Sequence, residues 1–196
     1  MRKLTAGIFI SLDGVVEAPG SGDTTLIDKR GWSMPFTDQE VGGHIMGGMA
    51  ASDAMLLGRI TYENFAAYWG PLGDENPIAS AMNNKHKYVV STTLDKTDWK
   101  NSTLLKGDLV TAITQLKQQP GKDIAIVGSP TLVQSLLQLE LIDELDLLIC
   151  PVILGVGKRL FKEGLKIGTE TRTMKPVSSK TYGSGMTILT LQPVRA

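Results

Sequence analysis

Three short stretches place hydrogen-bond donors where an apolar run gives way to a polar or helical one. They are Gly58-Arg59 with Thr61, Ser91-Thr92-Thr93, and Gly128-Ser129 with Thr131. The first amides of a helix have no partner inside it, and the helix dipole favours an anion there. Gly128-Ser129, directly before Pro130, reads as such a start, with glycine letting a ligand come close to the backbone. It is a general diphosphate cradle: the stretch lacks both G-x-G-x-x-G and the Gly-Lys-Ser/Thr ending of a phosphate loop. Arg59 adds a rigid fork of N–H donors suited to phosphate, and Ser91, Thr92 and Thr93 add hydroxyls. That second set suits a phosphate monoester such as the 2′-phosphate that separates NADP from NAD. Two phosphate sites on neighbouring strands point to a dinucleotide with one extra phosphate.

Hydride chemistry on such a cofactor asks little of side chains beyond a proton source near the acceptor. Asp13, at a strand end beside the expected cleft, is the first candidate; its other reading is a turn aspartate ahead of Gly14. Asp38 and Glu40 come second, with helix-start capping as the other reading. His44 and His86 lack any ligand spacing, so no metal is expected. Cys150 lies in an apolar run before Pro151 and reads as an inert core thiol. Trp32, Trp69 and Tyr62 are candidates for stacking on a flat ring, or for core packing. Lys158 and Arg159 are candidates for a substrate phosphate, or solvated charges.

The elements that must position these residues follow from periodicity. Residues 4–12 alternate, with Leu4, Ala6, Ile8, Ile10 and Leu12 on one parity and Phe9 on the other, which predicts a strand covered on both faces. Thr37 with Glu40 predicts a capping box and a helix through "DQEVGGHIMGGMAAS". Each of Gly42, Gly43, Gly47 and Gly48 costs that helix about 0.5–1 kcal/mol against alanine, which predicts a close neighbour, either sheet or ligand. "AMLLG", "KYVVST", "STLLKG", "DIAIVG" and "ELDLLICPVIL" read as strands. Helices follow in "ITYENFAAYW", in "LVTAITQLKQQ" capped by Asp108, and after Pro130. From Lys166 to Val194 the chain reads as two or three antiparallel strands. Strands and helices thus alternate and strands finish, which predicts an α/β domain with a mostly parallel sheet over 1–196 as a single unit. In such sheets ligands sit beyond the carboxyl ends of the strands.

The 196 residues carry 20 basic and 20 acidic side chains, so global charge suggests neither nucleic acid nor a membrane surface. One cysteine excludes an internal disulfide. No run reaches the roughly 18 apolar residues of a membrane helix, and the amino terminus does not read as a signal peptide. The expected compartment is the cytoplasm.

The order of "SLDG", "LLGRITYE", "VVSTT", "IVGSPTLVQSLL" and "LIDELDLLICPVILGVGKRLF" resembles the dihydrofolate-reductase-like superfamily. More narrowly, it is similar to the reductase domain of riboflavin-biosynthesis proteins and their stand-alone relatives, from Lys3 to about Leu191. The resemblance implies a three-layer α/β sandwich with an antiparallel carboxyl-terminal strand, and NADPH as cofactor. It implies that Gly58, Arg59 and Thr61 hold the adenosine-side phosphates, that Ser91 lies by the 2′-phosphate, and that Gly128, Ser129 and Thr131 meet the diphosphate. Gly155 and Gly157 would let a late loop pass close to cofactor or substrate. Two departures stand out: serine replaces the second glycine of the diphosphate turn, and the helix carboxylate of true dihydrofolate reductases falls near Gly42. The zinc signature of a nucleobase deaminase is not present. The expected activity is NADPH-dependent reduction of a small heterocycle, a pyrimidine or pterin-like ring, by a homodimer. The alternatives are a dihydrofolate reductase and a non-catalytic nucleotide-binding dimer module.

Overall fold

The computed structural model describes residues 1–20, 29–73, 75–161 and 172–194. Eight strands are β1 (Leu4–Ser11), β2 (Ser52–Gly58), β3 (His86–Val90), β4 (Ser102–Leu105), β5 (Asp123–Val127), β6 (Glu144–Cys150), β7 (Met174–Thr181) and β8 (Thr187–Pro193). Among the described residues the α-helices are α1 (Gln39–Ala51), α2 (Arg59–Trp69), α3 (Pro77–Asn84), α4 (Leu109–Gln118) and α5 (Pro130–Gln138), with a 3-10 turn over Met34–Phe36. The strands form one sheet ordered β4-β3-β2-β5-β1-β6-β8-β7. The pairs from β4 to β6 are parallel, and β8 and β7 add antiparallel strands. This is the α/β architecture expected from the alternation of patterns. The stretch 166–171 of the expected carboxyl-terminal strands lies outside the described residues.

One face of the sheet is sealed. Leu4, Ala6, Ile8 and Ile10 of β1, with Ile124, Ile126, Leu145 and Leu147, pack beneath Ile113 and Leu116 of α4 and Leu132, Val133 and Leu136 of α5. Each leucine, isoleucine or valine among them contributes about 1.5–3 kcal/mol on burial.

The second face is covered in two separate patches. Met55, Leu57 and Val89 pack with Tyr62 of α2, Met82 of α3 and Trp99. At the other end, Leu148, Cys150 and Ile188 pack with Val15, Trp32, Val41, Tyr182 and Met186. Helix α1 spans the interval: Val41 and Ile45 belong to the second patch, and Met49 packs against the first. Between the patches β1 has partial cover only. Phe9 packs against the second patch, Thr5 is half-buried, and Gly7, in a central strand, is exposed. The expected cover on the second face of β1 is thus met at Phe9 and missing at Gly7, because two clusters with a gap between them leave a floor open.

Helix α1 also departs from expectation in detail. Its cap is Asp38, whose carboxylate accepts from Val41 N at 2.9 Å, while Thr37 donates to Ser33 O instead. A Cβ placed on Gly42, Gly43, Gly47 or Gly48 would meet nothing within 4 Å. These glycines thus serve no close packing on the sheet. The described residues contain no helix long and apolar enough to cross a membrane.

Candidate active site

Strand order brings the candidate junctions onto one edge. Reading along the carboxyl ends of β3, β2, β5, β1 and β6 gives Ser91, Gly58-Arg59, Gly128-Ser129, Ser11–Gly14 and the loop after Cys150. Sequence separations of dozens of residues become a line of neighbours.

The two glycine hinges are joined directly. Gly58 N donates to Ser129 Oγ at 3.0 Å, and Ser129 N donates to Thr61 Oγ1 at 3.0 Å. Gly128 and Ser129 both sit in the left-handed region, at φ 59 and 56. At Gly128 a Cβ would also approach Thr61 Cγ2 to 3.2 Å, so shape and conformation both demand glycine. Ser129 pays the left-handed strain of an L residue and in return ties the two hinges together.

Helix caps distinguish this edge. Asp38, Asn76 and Asp108 accept hydrogen bonds from the first turns of α1, α3 and α4. Helices α2 and α5, beginning on adjacent strands, have no side-chain cap. Their first amides, those of Ile60 in α2 and of Thr131 and Leu132 in α5 among them, have no partner within the helix. Two positive helix ends therefore lie side by side, and that donor set matches a diphosphate. Arg59 sits at the start of α2, paired with Glu63 by an exposed bridge of 2.8 Å. Exposed pairs of this kind hold at most about 1 kcal/mol, so the guanidinium exchanges partners readily.

Ser91 holds the turn that follows its strand. It is buried, and its Oγ accepts from Thr93 N and Leu94 N at 3.1 and 3.0 Å. Its oxygen closes the turn after β3, and Thr92 and Thr93 beyond it are exposed.

Asp13 anchors a loop. Its Oδ1 accepts from Ser11 Oγ at 2.7 Å and Leu154 N at 3.1 Å, and its Oδ2 from Gly155 N at 2.9 Å. Arg159 lies 3.5 Å from the same carboxylate. The Ser11 hydroxyl, then the amides of Leu154 and Gly155, hold its pKa well below the usual carboxylate range. So engaged, the carboxylate orders the loop that follows β6. The loop it holds is bound a second way, by a bridge between Val15 and Arg159. Gly157, at φ 114, would place a Cβ 2.7 Å from Val15 Cγ1, so its glycine serves internal packing; Gly155, at φ 77, faces open space.

The other candidates settle into structural roles. Asp38 caps α1 and accepts from Ser184 N, and the Val41 amide draws its pKa down. Trp32 and Tyr62 are core residues, bonded through Trp32 Nε1 to Glu17 O and through Tyr62 OH to Trp99 N. Trp69 meets Tyr68 edge-on. Burial pushes the Cys150 thiol up to about 12. Among the described residues no cluster of His, Cys, Asp or Glu forms a metal site.

Sequence reasoning missed the open floor. One row of cross-strand neighbours on the second face reads Val127, Gly7, Asp146 and Thr190. A glycine in an otherwise apolar strand was the available signal.

A mostly parallel sheet with antiparallel carboxyl-terminal strands, and helix starts converging on its strand ends, is the architecture of dihydrofolate-reductase-like proteins. Within that class the chain belongs to the RibD C-terminal domain family, whose model matches residues 2–188. It is 30% identical over 190 residues to the uncharacterized protein YyaP of Bacillus subtilis (strain 168), covering 94% of this chain and 92% of that one. Among solved structures it resembles a putative riboflavin biosynthesis protein from Shewanella sp. PV-4, with TM-score 0.76, 21% identity, and 98% and 99% of the two chains covered. It also resembles dihydrofolate reductase from Enterococcus faecalis in complex with NADP(H), with TM-score 0.58, 12% identity, and 98% and 97% covered.

Proposed function

We propose that the chain is an NADPH-dependent reductase of a small heterocyclic substrate, of the kind that reduces 5-amino-6-(5-phosphoribosylamino)uracil in riboflavin synthesis. The observation that carries this reading is the pair of uncapped helix starts, α2 and α5, tied by the bonds from Gly58 to Ser129 and from Ser129 to Thr61. Family membership supports it.

The donor set fits the cofactor's charges. The amides of Thr131 and Leu132 would take the diphosphate, while Arg59 and Thr92 would take the adenosine monoester. Bound NADPH supplies a hydride. The chain's own work is then to orient the ring, exclude water and hold the late loop, the last through Asp13 and its bonds to Leu154 and Gly155. The substrate would lie on the open floor around Gly7. Helix α1 offers no carboxylate beyond Glu40 in its first turn and Asp38 at its cap, which disfavours folate.

Arg59→Ala tests the reading. NADPH affinity should fall about tenfold or more, roughly 1.4 kcal/mol, with NADH binding nearly unchanged. Equal losses would remove the 2′-phosphate role. NADPH oxidation measured with the aminouracil substrate and with dihydrofolate separates the two substrate classes. A homodimer is also proposed: β7 is exposed from Lys175 to Thr181, and a second copy would cover it.

A further inference from the structure

Beside the open floor stands a carboxylate, that of Asp146, with one oxygen free of protein partners among the described residues. Gly7 is exposed, and a Cβ built on it would meet only Leu148 Cδ1, at 3.9 Å. The missing side chain leaves a flat slot in a central strand. Asp146 is the cross-strand partner of Gly7 on β6, with its side chain on the same face as Leu148 and Cys150. Its carboxylate accepts from Thr190 Oγ1 at 2.6 Å through Oδ1, and Oδ2 has no protein partner among the described residues.

The neighbouring carboxylate is engaged. Glu144, one pleat away on the same face, accepts from Gln192 Nε2 at 3.0 Å and lies 3.6 Å from Lys3. Gly7 separates Asp146 from Val127 in the cross-strand row, Leu148 follows two residues on along the same face, and His44, bonded to Tyr182 at 3.1 Å, is close enough to act on Asp146 electrostatically. Desolvation pushes its pKa up, Glu144 adds to the rise, and Thr190 and His44 oppose it. A half-buried carboxyl with one oxygen open beside an empty slot is placed to accept from a ligand lying there.

We propose that Asp146 is the polar anchor of a ring-binding site, taking the paired N–H edge of an aminopyrimidine-type heterocycle that lies flat over Gly7. A carboxylate meets two parallel N–H donors of a planar N–C–N group as it meets guanidinium. Oδ2 supplies one acceptor and the second lone pair of Oδ1 the other. Thr190 fixes the carboxylate plane, and Val127 and Leu148 give the ring an apolar bed. The inference deepens the reductase reading, on which its part in turnover rests, because it names the group that recognises the substrate ring.

The test is calorimetric titration of the full chain with 2,4-diaminopyrimidine, beside a fluorescence titration with NADPH. Asp146→Asn replaces one acceptor by a donor at equal size, so diaminopyrimidine affinity should fall about tenfold with NADPH affinity unchanged. Gly7→Val should abolish diaminopyrimidine binding by filling the slot. Gly7→Ala, which fits at 3.9 Å from Leu148, should weaken it less and guards against a misfolded valine variant. Undiminished binding by Asp146→Asn would overturn the proposal. So would a wild-type chain that takes NADPH but not the ring. Ring binding that depends on Asp146 in a chain that ignores NADPH would uphold the anchor and sink the reductase reading instead.

Discussion

The hydroxyl of Ser129 accepts the amide proton of Gly58 at 3.0 Å, bridging residues 71 apart in sequence. One side chain thereby sets the spacing between the starts of α2 and α5. Its own backbone, at φ 56, is strained to reach that position, and strain of this kind collects where geometry serves a ligand.

Removing the hydroxyl should be felt in stability and binding together. Ser129→Ala leaves the Gly58 amide without its partner and keeps a Cβ in left-handed backbone; the expected loss is about 2 kcal/mol. Ser129→Gly removes the same bond but relieves the strain, so it should lose about 1 kcal/mol less. Urea unfolding of the two variants checks the order. NADPH affinity should drop in both, because the hinges lose their tie.

Asp13→Asn should slow turnover at every pH without moving the acidic limb of the profile, since the carboxylate orders the loop and gives no proton. The linkage sign agrees. Its folded pKa is depressed, so its contribution is present above the unfolded carboxylate value of about 4 and is lost only as pH falls through the lower folded value. Hydrogen exchange at the Leu154 and Gly155 amides should be protected at pH 5 and 7 alike, and faster in the variant. A shifted acidic limb would restore Asp13 as a titrating participant.

Lys87 gives a test away from the site. It is fully buried, and its Nζ donates to the carbonyls of Met82, Asn83 and Lys85 at the end of α3. Desolvation draws its pKa down to about 8. Between about pH 8 and its unfolded value of about 10.4, the unfolded chain binds the extra proton, so this residue makes stability rise with pH. Lys87→Met should remove that rise and lose about 2–3 kcal/mol, because three carbonyls lose a charged donor. Unfolding at pH 7.5 and 9.5 measures both effects.

The exposed strand β7 predicts the assembly. Lys175, Pro176 and a register shift between Pro176 and Ser178 blunt edge-to-edge pairing. A second copy would therefore cover a face of the β7–β8 hairpin. Val177, 50% exposed, lies in that stretch. Sedimentation should give a dimer for the native chain and a monomer for Val177→Asp; a native monomer would remove the proposal.

The elements were legible because they depend on local periodicity and local caps. Asp108 announces α4, Pro130 opens α5, and the parity of Leu4, Ala6, Ile8 and Ile10 defines a buried face of β1. Glycine before a helix likewise marked Gly58 and Gly128 as hinges. The roles of single side chains were less legible. Asp13 and Ser91 have the chemistry of site residues. Ser91 accepts from the amides of Thr93 and Leu94 in its own turn, a local pattern that serine favours. Amides 141 and 142 residues away bond the Asp13 carboxylate, which no spacing rule encodes. The open floor was invisible for the same reason. That Gly7 is uncovered depends on where two clusters, built from residues 9 to 188, stop short of each other. Sequence determined which residues could bind an anion and which strands would carry them. Tertiary structure alone decided which donors are left unpaired, because burial and hydrogen-bond satisfaction are properties of neighbours brought together across the whole chain.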